Sequence, residues 1–178
     1  MPTKVDEDTC SACGACAEVC PADAITVEDF AKASRQKMSS GGSQAKHWIM
    51  PARLKIKDNR ALVESPAMIF DRLTFDGIEF DTFQYCRFVS RVIKATAGWK
   101  LGSFEGIYQR DQMQTVDPRD PLPVDWDIIK KLRPSYKFIG YTQVKRGYKL
   151  NPELLGDDRP DLLEAFYARE QQWLETGI

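Results

Sequence analysis

Apolar and polar residues alternate in the middle of the chain, as expected for β-strands with one buried face. Arg53–Lys57 alternates basic and apolar residues, Asp58 and Asn59 indicate a turn, and residues 60–64 fit the returning strand. Two further short apolar runs flank Asp76 and Gly77. Asp-Gly is favoured in two-residue hairpin turns because both central positions need a positive φ. The pattern therefore predicts two β-hairpins.

A helical period follows the second hairpin. Asp81 and Gln84 fit the spacing of a capping box, and Gly98 is a typical residue just beyond a helix C-terminus. The apolar residues between them recur on one helical face: Tyr85, Cys86, Val89, Val92 and Ile93. The sequence thus predicts a helix that begins after Asp81 and ends before Gly98.

The C-terminal third combines irregular and helical patterns. Residues 99–113 show no clear period and are predicted to be a loop with short ordered pieces. Residues 117–123 contain three prolines and are predicted to be extended. A short helix capped by Asp125 is expected at 124–132, and a final helix from Pro160 or Asp161 to Leu174. Residues 136–149 interleave basic and aromatic residues, which is typical of a partly buried β or extended segment.

The predicted fold class is α+β: a small ferredoxin-like cluster module with β-hairpins, followed by helices and extended arms. The expected divisions are a cluster module at 1–33, a flexible loop at 34–47, hairpins plus a helix at 48–116, and an extended arm with a C-terminal helix at 117–178. The loop is predicted from its run of serines and glycines, residues 39–43.

Composition indicates a folded protein. The chain has 178 residues, of which 43% are hydrophobic and 29% charged, so it can build a core. No apolar run approaches the roughly 18 residues that a membrane-spanning helix needs, so no direct membrane span is expected. No secretory leader is evident, and clustered thiols persist in reducing compartments. Cytoplasmic localisation is therefore expected.

The net charge of −1 conceals an uneven distribution. Residues 1–30 are rich in acids, residues 128–150 carry seven basic residues and no acid, and residues 151–178 are acidic again. A basic block of this kind suits docking to an acidic partner protein. Because the overall charge is near zero and no nucleic-acid motif is present, nucleic-acid binding is not expected.

The strongest chemical signal is a run of four cysteines near the N-terminus. Cys10, Cys13, Cys16 and Cys20 are spaced C-x2-C-x2-C-x3-C and are followed by Pro21. This is the ligand run of a bacterial-type [4Fe–4S] site. Zinc is the competing interpretation, but zinc sites usually combine two separated cysteine pairs.

Residues 1 to 30 resemble one half of a bacterial-type ferredoxin domain. The resemblance implies short strands at 3–5 and 25–28 on either side of the cysteine loop. Carried over residue by residue, the resemblance implies a [4Fe–4S] cluster bound by Cys10, Cys13 and Cys16 and assigns Cys20 to a second cluster. It also implies a role in electron transfer. It covers no other part of the chain.

The chain departs from two-cluster ferredoxins because it has no second cysteine run. In those proteins the Cys-Pro cysteine of each run binds the cluster of the other run. Three interpretations stay open: the four local cysteines bind one cluster, Cys86 replaces Cys20 as the fourth ligand, or a partner chain supplies ligands. Cys86 alone fits either a small core residue or a thiolate in the first turn of a helix.

No catalytic constellation accompanies the cluster motif. His47 is the single histidine and is expected to be solvated or hydrogen-bonded. The expected function is an electron-transfer subunit of a cytoplasmic oxidoreductase, with a larger catalytic partner that carries a flavin, molybdenum or tungsten cofactor. The alternative is a non-redox or regulatory binding subunit with a structural cluster or zinc.

Overall fold

The computed structural model describes residues 45–178, which form one compact unit. Five antiparallel strands come first: β1 (Lys46–Ile49), β2 (Arg53–Lys57), β3 (Arg60–Phe75), β4 (Ile78–Ala95) and β5 (Gly98–Thr115). Three helices follow: α1 (Trp126–Ile129), α2 (Lys137–Lys145) and α3 (Pro160–Thr176). The α+β class is confirmed for this unit. The predicted cluster module and most of the predicted loop at 34–47 lie outside the described residues.

Three long strands form the centre of the sheet, in the order β3-β4-β5. The short strands β1 and β2 both pair with the free edge of β3, one on each side of Pro66. Met50 joins them across the gap, donating its backbone N–H to the carbonyl oxygen of Pro66 at 2.9 Å. His47, predicted to belong to a loop, lies in β1 and is exposed.

Both predicted hairpin turns are confirmed. Arg53–Lys57 pairs with the start of β3 after Asp58 and Asn59. Asp76 and Gly77 connect β3 to β4 with φ angles of 51° and 81°. Both values are the positive ones that a two-residue turn of this type requires.

The predicted helix after Asp81 is wrong, because those residues belong to β4. Its helical appearance arises where both faces of the strand are buried. Buried positions alternate from Phe80 to Cys86, but Phe88, Val89 and Ser90 are buried consecutively. Such an interruption of the two-residue period mimics a helical stripe.

The predicted loop at 99–113 is also wrong, because these residues form β5. The strand contains two irregularities that hide its period. Tyr85 pairs with Arg110 but Cys86 pairs with Tyr108, so Gln109 is an extra residue in β5, and Gly102 is a second one. Each bulge reverses the order in which side chains point to the two faces.

The two faces of the sheet are covered at opposite ends. The first face carries Phe80, Cys86 and Phe88, and α1 and α2 pack on its Phe80 end through Ile129 and Tyr141. The second face carries Arg87, Val89 and Arg91, and α3 packs there through a cluster of Val89, Ile107 and Phe166.

Two of the three described helices, α1 and α3, are predicted by the sequence. Asp125 caps α1, accepting hydrogen bonds from the N–H groups of Asp127 and Ile128. Pro160 occupies the first turn of α3, and Gly177 closes that helix with a φ of 84°. The prediction of an extended segment at 136–149 is wrong, because α2 occupies most of it.

Candidate functional site

The four cysteines of the predicted cluster site, Cys10, Cys13, Cys16 and Cys20, lie outside the described residues. Their chemistry alone fits an iron–sulfur cluster, because four thiolates match the four irons of a cubane. Within residues 45–178, no group of three or more His, Cys, Asp or Glu side chains is placed to hold a metal ion.

Cys86 is a core residue of β4. Its side chain is 1% exposed and packs with Ala67 and Phe88. The sulfur lies 3.7 Å from the carbonyl oxygen of Ala67, to which the thiol donates. Burial raises the pKa of the thiol to about 11, so the neutral form prevails at physiological pH. The predicted position in the first turn of a helix is therefore wrong, and the surroundings are those of a structural cysteine.

A polar pair lies on the first face of the sheet, where the buried Gln84 of β4 is paired with the partly buried Asp111 of β5. Asp111 accepts hydrogen bonds from the N–H groups of Phe138 and Ile139, at 2.6 and 2.8 Å. Gln84 donates to three carbonyl oxygens, including that of Ser135. The pair thereby connects the sheet to the start of α2.

Each member of this pair retains a buried acceptor without a donor. Within the described residues, Gln84 Oε1 and Asp111 Oδ1 have no hydrogen-bond partner. Burial raises the pKa of Asp111 to about 6, although the N–H groups of Ile139 and Phe138 act in the opposite direction. A proton on Asp111 would supply one of the missing donors.

A cleft of about 560 Å³ lies on the second face, between the sheet and α3. Its floor takes two residues from each of three neighbouring strands: Arg53, Lys55, Leu62, Glu64, Arg87 and Val89. These six share a face because Arg53 pairs with Glu64, and Glu64 pairs with Val89. Tyr167, Glu170 and Gln171 of α3 form the opposite wall.

Each of the two carboxylates of the cleft has an arginine within ion-pair distance. Arg91 donates to both oxygens of Glu170, at 2.7 and 2.9 Å, and the Glu170 side chain is 5% exposed. Arg87 lies 3.5 Å from Glu64 and also forms a two-bond pair with Asp157. The Arg91–Glu170 pair connects α3 to the sheet, and the Arg87–Asp157 pair connects the residues just before α3 to the same strand.

A smaller cavity of about 320 Å³ adjoins β4 and β5. Tyr85, Gln109, Arg110 and Asp157 line it, and the Arg110 guanidinium lies 4.8 Å from the centre of the Tyr85 ring. The bulged residue Gln109 donates to Asp157 at 3.3 Å. All four residues that line this smaller cavity are polar or aromatic. The cavity therefore has no aliphatic side chain comparable to Leu62 in the larger cleft.

Sequence reasoning did not find the cleft. The one available signal was Glu170, a carboxylate on the apolar face of the predicted C-terminal helix. A buried acid in such a position requires a cationic partner. Nothing in the sequence identifies Arg91 as that partner, because the pattern around Arg91 predicts a helix and not a strand.

Comparison with known proteins gives one match to a short segment and two matches to most of the chain. A family described as a 4Fe-4S binding domain matches residues 3–26, the segment that contains all four clustered cysteines. Pea pathogenicity protein 2 and a PEP2-like protein, both of Fusarium vanettenii, are each 27% identical to the chain over 164 residues. Both alignments cover 85% of this chain and 68% of the relative, so they include much of the described unit.

None of the described helices is both long enough and apolar enough to cross a membrane.

Proposed function

We propose that the chain is an electron-transfer protein that carries one [4Fe–4S] cluster on Cys10, Cys13, Cys16 and Cys20. The observation that supports this is the C-x2-C-x2-C-x3-C-P run within the segment that resembles 4Fe-4S binding domains. When bound, the cluster supplies one-electron chemistry at a potential that its surroundings tune. The four thiolates hold all four irons, which favours electron transfer over substrate binding.

The electron partner in this proposal is a larger catalytic subunit of an oxidoreductase, with a flavin, molybdenum or tungsten cofactor, in the reducing environment of the cytoplasm. The acidic composition of residues 1–30 supports docking of the cluster segment to a basic surface. The basic block at 128–150 offers a separate surface for an acidic partner. Opposite charges on two segments suit a complex whose orientation is set electrostatically.

The test is metal analysis and EPR spectroscopy of the full chain purified without oxygen. We expect about four irons and four sulfides per chain and an S = 1/2 signal after dithionite reduction, the properties of one cubane cluster. Cys20→Ser should lose this signal. Cys86→Ser should keep it, because Cys86 is a buried neutral thiol. Loss of the signal in Cys86→Ser alone would contradict the four-cysteine site.

A second candidate function is a binding or regulatory protein whose cluster, or zinc, is structural. The observation that favours it is the cleft of about 560 Å³ in the described unit, a size suited to a small ligand. Stoichiometric zinc, or a cluster that dithionite cannot reduce, would establish this second function and contradict electron transfer.

A further inference from the structure

We propose that the cleft between the sheet and α3 binds a small amphipathic carboxylate, a ligand with an aromatic or alicyclic body and one carboxylate group. The proposal concerns residues 53–171 and does not depend on whether the N-terminal cluster transfers electrons.

One part of the cleft offers an apolar surface to the body of such a ligand. Leu62 of β3 lies there and is partly buried, while Val89, on the same face of β4, is 3% exposed and packs against Phe166. Tyr167 of α3 also lines the cleft with an aromatic ring. A flat ring between Leu62 and Tyr167 would bury apolar area on both of its sides.

The charge that remains at the cleft is positive. Arg91 pairs with Glu170, and Arg87 is shared between Glu64 and Asp157. These pairs together with Arg53 and Lys55 therefore place four basic side chains against three carboxylates at the cleft. Arg53 has no ion-pair or hydrogen-bond partner among residues 45–178, and Lys55 donates only to the neutral side chain of Gln171, at 3.1 Å. Both cations belong to β2, so they lie at one edge of the cleft, where they would bind the acid group.

The size of the cleft limits the class of ligand. A volume of about 560 Å³ lies within the range of small-molecule sites and is too small for a folded partner. A guanidinium and an ammonium beside Leu62 and the Tyr167 ring together match a carboxylate attached to a hydrophobic ring.

The experiment is isothermal titration of the full chain with benzoate, cinnamate and naphthalene-1-acetate, each compared with its neutral amide. At least one carboxylate should bind with a dissociation constant on the order of 0.1 mM, and its amide about tenfold or more weakly. Equal binding of acid and amide would overturn the proposal. So would failure of all three acids to bind below about 5 mM.

Charge-reversal variants locate the site. Arg53→Glu and Lys55→Glu should each weaken binding of the best carboxylate about tenfold and leave binding of its amide unchanged. Lys131→Glu is the matched control, because Lys131 is exposed, lies outside the cleft and undergoes the same change in charge. An equal loss of affinity in Lys131→Glu would indicate that net charge alone attracts the ligand, and it would contradict the location of the site in the cleft.

A space-filling variant and NMR provide independent measurements. Leu62→Trp should abolish binding of both acid and amide by occupying the floor, provided that its thermal midpoint stays close to that of the wild type. In ¹H–¹⁵N spectra of the wild type, the largest shifts on addition of the acid should be at Leu62, Val89 and Tyr167. Largest shifts at Tyr85 and Arg110 would assign the ligand to the smaller cavity and contradict the proposal.

Discussion

Arg91 of β4 and Glu170 of α3 form an ion pair with two hydrogen bonds, from Nε to Oε2 at 2.7 Å and from Nη2 to Oε1 at 2.9 Å. The same guanidinium lies 5.0 Å from the centre of the Trp173 ring. One arginine therefore contacts two successive turns of the C-terminal helix and connects it to the centre of the sheet.

Glu170→Ala should destabilise the protein by about 2 kcal/mol, because it leaves the partly buried Arg91 without its counter-ion. The estimate is below that for fully buried pairs, since the Arg91 side chain is 23% exposed and retains some water. Urea unfolding at pH 7 measures the change. Lys130→Gln removes an exposed pair with Asp127 and should leave the midpoint almost unchanged. Similar losses in both variants would contradict a special role for the Glu170 pair.

Asp111→Asn should remove a pH dependence of stability between about pH 4 and 6. The folded-state pKa of Asp111 is raised to about 6, above the usual value of 3.8, so the folded protein binds this proton more tightly than the unfolded chain. The contribution of this group to the free energy of unfolding is therefore greatest below pH 4 and falls by about 3 kcal/mol as the pH rises to 6.

The measurement is the difference in unfolding free energy between wild type and Asp111→Asn at several pH values. Taking the difference cancels carboxylates such as Asp158, whose pKa is lowered by Arg133 and which produces the opposite slope. As the pH rises, the unfolding free energy of Asp111→Asn should increase relative to that of the wild type. A difference that does not vary with pH would show that Asp111 titrates normally.

Cys86 should resist alkylation in the native protein, because its thiol is buried and its pKa is raised to about 11. Iodoacetamide followed by peptide mass spectrometry should label Cys86 only after unfolding. Cys86→Ala should cost about 1 kcal/mol through the lost packing against Ala67 and Phe88. Rapid native labelling of Cys86 would contradict its position in the core.

Gly77→Ala should destabilise the β3–β4 hairpin by about 1 kcal/mol. A Cβ at this position would have no atom within 4 Å, so the cost comes from the φ of 81° alone and not from a clash. Asp76→Asn is the matched control, since asparagine also tolerates a positive φ. The measurement is the thermal midpoint of both variants. An unchanged midpoint for Gly77→Ala would refute the conformational argument.

The chemistry of single residues made part of the fold predictable. Asp76 and Gly77 act through their own backbone preferences, and Asp125 caps α1 through hydrogen bonds two and three residues away. Pro160 begins α3 because its missing N–H is not needed in a first turn. In the same way, the spacing of Cys10 to Cys20 indicates an iron–sulfur site without knowledge of the surrounding fold.

Long-range contacts determined the remaining elements. β4 is a strand because β3 and β5 supply hydrogen-bond partners along most of its length, although its side chains also fit a helix. Both of its faces are buried near Val89, where α3 covers the second face. No local pattern encodes which helix covers which end of a strand.

The start of α2 depends on a contact with a residue that is distant in sequence, and local patterns do not reveal such a contact. Tyr136 precedes the helix and makes no side-chain cap, so its first N–H groups are bound instead by Asp111, 27 residues earlier in the sequence. Likewise, the cleft exists because Arg53, Val89 and Tyr167 meet only after the sheet and α3 have packed. Turns, caps and the cluster motif depend on neighbours in sequence, so the sequence reveals them. Strand length, the cap of α2 and the cleft depend on neighbours in space, which only the folded chain brings together.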